Sequence, residues 1–169
     1  MSSHDPTNGL AQPPSDDERI RRSIEALLLK LGYQRGEVEV DAARDLGPEH
    51  GHLTVRADLL VVRGGRAAMV LRCARGSIVT REKETVACAR LIAPEWAPLA
   101  VATNGQDAEL IETASGQVMA TGLAAIPSPA QLDRLLSARP SHRPTEAQTA
   151  QAARVWSAYS QFHCEAFCS

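Results

Sequence analysis

The run from Arg56 to Ser77, RADLLVVRGGRAAMVLRCARGS, does most to limit what this chain can fold into. Leu59 to Val62 and Ala68 to Leu71 are aliphatic, partly β-branched segments of strand length. Between them Arg63-Gly64-Gly65-Arg66 carries a Gly-Gly turn signal, so the run reads as a β-hairpin. Its first strand opens on the acidic Asp58 and its second runs into a charged stretch. Alternate side chains share a face of a strand, so Arg72 and Ala74 are expected on one face and Cys73 on the other.

The remaining chain supplies helices and strands to build around that hairpin. Residues 1–14 are rich in Ser, Asp, Asn, Gly, Gln and Pro and are expected to be a disordered arm. Ser15 with Glu18 three residues on is a capping-box start, and Ile20, Ile24, Leu27, Leu28 and Leu31 recur at helical spacing before Gly32. Glu37 to Val40 alternates like a half-buried strand, and Asp41 to His52 reads as a polar loop. A helix is expected from Thr80 to about Ala93, ended by Pro94. Pro98 to Ala102 is wholly apolar, as in a strand buried on both faces, and Thr103-Asn104-Gly105 is a turn. Ala108 to Ile111 and Gln117 to Ala120 suggest a second hairpin, and Ser128 caps a short helix within Pro127 to Leu136.

Residues 15–137 thus make one domain, 138–144 a Pro-containing linker and 145–169 a separate amphipathic helix. That helix opens with a Thr145…Gln148 capping box and holds four of the six aromatic residues, Trp156, Tyr159, Phe162 and Phe167. Val155, Tyr159, Phe162 and Ala166 form one stripe that needs a surface to cover, on its own domain's partner or on a second copy of the chain.

Composition excludes several classes. With 44% hydrophobic and 22% charged residues the chain is a soluble globular type, and no run approaches a membrane span. The first stretch has neither an apolar core nor a basic start, so a cytoplasmic protein with reduced thiols is expected. GxSxG, Walker and GxGxxG motifs are absent, and the histidines lie mainly in loops or the tail. Between Arg56 and Arg90 eight basic residues face three acidic ones, a local excess that nominates Arg63, Arg66, Arg72, Arg75, Arg81 and Lys83 for contact with DNA phosphates.

The hairpin resembles the core of the PD-(D/E)xK nuclease fold, in the version found in the N-terminal domain of type I restriction enzyme R subunits. Supporting residues are Asp58 on the first strand, Glu18-x-x-Arg21 and Leu31-Gly32-Tyr33 on the first helix, and Thr103-Asn104-Gly105 after the buried strand. The shared order of elements covers roughly Asp17 to Met119. The resemblance implies an α/β fold, a restriction-endonuclease-like mixed sheet flanked by helices, with the C-terminal helical tail added. It also implies a Mg²⁺ site in which strand carboxylates hold the metal and a Lys orients the attacking water.

The chain departs from that pattern where the chemistry is carried. The Glu-x-Lys position reads Arg72-Cys73-Ala74, which puts a permanent cation where a carboxylate should face a dication and removes the amine. Asp58 is then a remnant, an ion-pair partner for Arg72. Glu18, Glu82 and Glu84 are the carboxylates that a relocated site could recruit, Glu18 having cap and dipole duties already. The leading expectation is a catalytically inactive, stand-alone domain that binds nucleic acid or a protein partner. The alternatives are a Mg²⁺-dependent endonuclease with a relocated Glu, and a regulatory module docking through its C-terminal helix. A weaker possibility is zinc on Cys164 and Cys168, spaced i, i+4 beside His163, joined by Cys73 or Cys88.

Overall fold

The computed structural model describes residues 11–165, with side chains described through residue 160. Most of the expected N-terminal arm, and Phe162, His163, Cys164, Ala166, Phe167 and Cys168 as side chains, lie outside these residues.

Six strands form one sheet in the order β1 (Val38–Asp45), β2 (Thr54–Arg63), β3 (Arg66–Cys73), β4 (Leu99–Thr103), β5 (Ala108–Glu112) and β6 (Val118–Thr121). All neighbours are antiparallel except β3 and β4, which run parallel, so the sheet is mixed. A parallel pair needs a crossover, and α2 (Glu82–Leu91) makes it. The hairpin expectation holds: Arg63 pairs with Arg66 across Gly64 and Gly65, at φ 58° and 73°, the left-handed values that a two-residue hairpin loop demands.

Helices cover both faces. On one side α1 (Asp16–Leu31) and α3 (Pro129–Ser137) pack Ile24, Leu28 and Leu132 over Leu59, Val61, Met69, Leu71, Leu99 and Val101. On the other, α2 and α4 (Glu146–Glu165) cover Leu60, Val70, Ala100, Ala102 and Ile111. Burial on both faces is why β4 reads as an uninterrupted apolar run. Ser15 Oγ accepts from the Glu18 N–H at 3.2 Å, while the Glu18 carboxylate turns to Arg22, so only half of the expected capping box forms on α1. Gly32 closes that helix at φ 111°.

Three expectations need correction. β1 continues through Asp45, into what the sequence suggests is loop, because this edge strand pairs with β2 while its polar side chains face solvent. The α2 helix begins at Glu82 after a single 3-10 turn, Val79–Arg81, with the Thr80 hydroxyl spent on the Ser77 carbonyl. The buried stripe of α4 is Ala152, Ala153 and Trp156, one position round from the expected one, and it is seated on this domain's own α2 face. Its Thr145…Gln148 capping box forms reciprocally.

Leu28→Ala, on the buried face of α1 at zero exposure, is expected to cost about 3 kcal/mol, whereas Val79→Ala, 66% exposed, should stay within about 0.5 kcal/mol. Urea unfolding of the two variants checks this contrast.

Candidate functional site

The polar centre of the molecule forms where β2 and β3 part. Their ladder runs from Arg63–Arg66 up to Leu59–Leu71 and stops there. On β2, Val55 and Ala57 belong to the core under α2 and α4, but past Asp58 that place is taken by Leu60, while Leu59 and Val61 turn toward α1. The alternation of the strand therefore slips by one at Asp58. Opposite it on β1, between the paired positions Val40 and Ala42, Asp41 is left-handed at φ 52°, a conformation that Asp tolerates better than most residues. The slip turns Asp58 into the gap between the strands.

Side chains satisfy the backbone groups that the parted ladder leaves open. Asp58 Oδ2 accepts the Cys73 N–H at 2.8 Å. Arg72 Nη1 and the Cys88 thiol both donate to the Arg56 carbonyl, at 3.0 and 3.3 Å. The Arg72 guanidinium then bridges two carboxylates. Its Nη1 lies 3.2 Å from Asp58 Oδ2, and its Nη2 donates to Glu84 Oε1 at 2.9 Å. Glu84 comes from the first turn of α2, one turn before the buried Ala87 and Cys88. Trp156 of α4 closes the group from above: Arg72 Cζ is 5.3 Å from its ring centre, and its indole N–H donates to the Thr54 carbonyl at 3.0 Å.

Little of this cluster meets water; the side chains of Asp58, Arg72 and Glu84 are 26%, 17% and 6% exposed. Burial raises the Asp58 pKa above the usual carboxylate range, against the lowering pull of Arg72 and of the Cys73 N–H, and the Asp41 and Glu84 charges add to the rise. Burial alone would lower the Arg72 pKa, but the Asp58 and Glu84 carboxylates more than offset it, so the guanidinium stays charged. The Cys88 thiol is pushed up to about 12, chiefly by burial, and is inert in this setting.

The remaining expected residues are placed as follows. Glu18 is ion-paired with Arg22 at 2.6 Å and with Arg21 at 3.9 Å, on the first turn of α1. Ala74 lies just past the end of β3, its N–H donated to the Thr103 carbonyl, and offers no amine. Glu82 stands beside Glu109 on β5, and the Glu109 pKa is raised, by burial first and then by that neighbour. Arg63 is held by Glu37 and by Asp133, the latter through two nitrogens. Arg66 donates to the Arg139 carbonyl, and Arg75 pairs with Asp16 at 3.1 Å while remaining 71% exposed. Arg81 is 3.9 Å from Glu84, and Lys83 is exposed. Cys73 and Cys88 are buried on opposite faces of the sheet, Cys73 on the α1 side.

A divalent metal does not fit the fork as it stands. The space between its two carboxylates holds a guanidinium, which would repel a dication, and no group of three or more His, Cys, Asp or Glu among the described residues could hold one. The Arg72 Nε is buried without a hydrogen-bond partner, so one donor of the guanidinium is left unsatisfied while its Nη1 and Nη2 are engaged.

Of the other members of the cluster, the sequence nominates Glu84 but not Trp156 or Asp41. Glu84 carries a readable signal, since with Ala87, Cys88 and Leu91 it continues one helical stripe, and a carboxylate there must enter the core. Trp156 and Asp41 carry none, because each depends on how distant segments meet.

Among the described residues no helix is long and apolar enough to cross a membrane. Comparison with family models gives a match over residues 16–127 to the type I restriction enzyme R protein N terminus. Searches of curated proteins and of solved structures found no match. The matched segment holds the sheet, α1, α2 and the fork, while α3 and α4 follow it. This chain belongs to the family of type I restriction enzyme R protein N-terminal domains.

Proposed function

We propose that this chain is a catalytically silent member of its family, kept as a binding module whose partner is nucleic acid. One observation carries the first half: Arg72 sits between Asp58 and Glu84, so the fork already contains its own cation. A metal-assisted hydrolase needs those carboxylates free to grip a dication and a group to orient water. Here both carboxylates are engaged, and the position expected for the amine is Ala74. The arrangement is instead a structural clamp that ties β2, β3 and α2 together.

The partner is argued from what is left at the surface. Much of the basic excess of the hairpin is consumed internally, at Arg63 and Arg72 above all. Arg56, Arg75 and Lys83 remain exposed, and each lies within three residues of a member of the fork. Three such cations suit weak, sequence-independent contact with a phosphate backbone in a reducing cytoplasm. The inner face of α4 is occupied within the domain, which favours this partner over one gripping that helix.

The competing reading is hydrolysis with a relocated carboxylate. It draws on Glu84, which does reach the same guanidinium as Asp58, but it requires Arg72 to leave. Incubation of plasmid with Mg²⁺ or Mn²⁺ separates the two: the silent reading predicts intact plasmid, and cutting that disappears in Asp58→Ala establishes the other.

Two further outcomes are expected. Binding to duplex DNA should weaken with salt with a log–log slope of about −3, corresponding to about three phosphates neutralised, and no binding at low salt removes the nucleic-acid partner. Arg72→Met should destabilise by about 3 kcal/mol at pH 7, because it strands two buried carboxylates. The Asp58 pKa, already raised by burial, then loses the lowering pull of Arg72, so its share of the cost is present at neutral pH and shrinks as pH falls through that pKa. Urea unfolding at pH 7 and pH 4 measures it; an equal loss at both contradicts the clamp.

A further inference from the structure

A cavity of about 320 Å³ lies between α2, α4 and the turn joining β5 to β6, at the small end of the range for small-molecule sites, about 300–1,000 Å³. Its walls follow from residue spacing. Lys83, Val86, Ala87 and Arg90 are i, i+3, i+4 and i+7 of α2 and so share one side of that helix. α4 contributes Gln151, Ala152 and Val155, and the turn contributes Ser115 and Gly116. The middle of the cavity is therefore apolar and built largely of small residues. Glu82 and Lys83 stand at one end and Arg90 at the other, two helical turns away, about 10 Å.

Arg90 is the group that its surroundings leave unanswered. Its Nε and Nη2 donate to the Thr113 carbonyl at 3.0 and 2.7 Å, and Nη2 also donates to the Ala114 carbonyl at 3.1 Å. The guanidinium lies over the Trp96 ring, 4.8 Å from its centre. These contacts hold the side chain in place without neutralising it. Arg63, Arg72 and Arg139 are each ion-paired with a carboxylate, whereas Arg90 has no such partner among the described residues. Burial lowers its pKa, as it does for a cation drawn from water without a counter-charge. Its Nη1 has no acceptor among the described residues, and neither does the Gln151 amide nitrogen, whose Oε1 neighbour is taken by Arg154.

We propose that this cleft binds a nucleoside monophosphate, with the phosphate on Arg90 and Gln151 and the base lying along the apolar middle toward Glu82 and Lys83. An anion at Arg90 gains a charge-assisted hydrogen bond from a guanidinium already fixed by its other contacts, so little freedom is lost in binding it. The orientation follows from Glu82, which repels a phosphate at its own end and accepts there from a base amino group, while Lys83 donates to a ring acceptor. Ala87, Ala152 and Gly116 leave room between the two ends for a flat ring. The site is separate from the duplex contact argued above: Lys83 serves both, Arg90 and Gln151 only this one.

Isothermal titration calorimetry of the full chain with AMP, ribose 5-phosphate and inorganic phosphate tests this, with proton–nitrogen correlation spectra to locate the ligand. AMP is expected to bind at sub-millimolar concentration, about tenfold tighter than ribose 5-phosphate because its base adds apolar contact. It should shift the indole N–H resonance of Trp96, which stacks on Arg90, more than that of Trp156, whose N–H is held by the Thr54 carbonyl. Gln151→Glu, exposed on α4, places a carboxylate against Arg90 and should weaken AMP binding about tenfold at unchanged urea stability. Arg90→Gln should weaken it at least as much, and the Gln151 variant decides the matter if that protein does not fold. Arg75→Gln, beside α1, should leave AMP binding as it is. No heat with millimolar AMP, inorganic phosphate binding as tightly as AMP, or AMP binding that Gln151→Glu leaves unchanged overturns the proposal, whatever the plasmid and duplex experiments give.

Discussion

A single guanidinium between two carboxylates is the contact on which the centre of this structure depends. β2 and β3 separate at Asp58 and Arg72, leaving the Cys73 N–H and the Arg56 carbonyl without ladder partners. Such groups cannot be buried unpaired without a penalty comparable to a lost hydrogen bond. Asp58 takes the N–H, Arg72 takes the carbonyl, and the two side chains balance each other's charge. Glu84 then couples α2 to the same cation, and Trp156 couples α4 to it. Remove the guanidinium and four elements lose a common point of attachment.

A buried ion pair of this kind is weak evidence for stability in itself, since desolvating the charges costs about as much as their attraction returns. Its effect is on specificity of arrangement. The raised pKa of Asp58 shows burial winning at that carboxylate even with Arg72 beside it. The pair persists because removing either partner alone is worse than keeping both. Here the charge opposite the two carboxylates is covalently part of the chain.

Periodicity and turn chemistry made most of the scaffold legible. The Gly64-Gly65 hairpin, the doubly buried β4, the Ser128 cap on α3 and the Thr145…Gln148 box on α4 are local features, decided within a few residues. The slip of β2 at Asp58 was not legible, since it shows only as a change in which alternate residues meet which helix layer. The far half of β1 is not legible because Asp41 to Asp45 carry no apolar alternation, and an edge strand needs none on its solvent side. The inner stripe of α4 lies one position from its aromatic stripe because its seat on α2 accepts small side chains around one Trp.

The most direct test of the account is a crystal structure of the full chain grown or soaked with Mn²⁺, read by anomalous scattering at the fork. The account predicts Arg72 seated between Asp58 and Glu84 with no manganese peak within coordinating distance of either carboxylate. A manganese ion bound to Asp58 and Glu84, with the Arg72 side chain turned out, would contradict it.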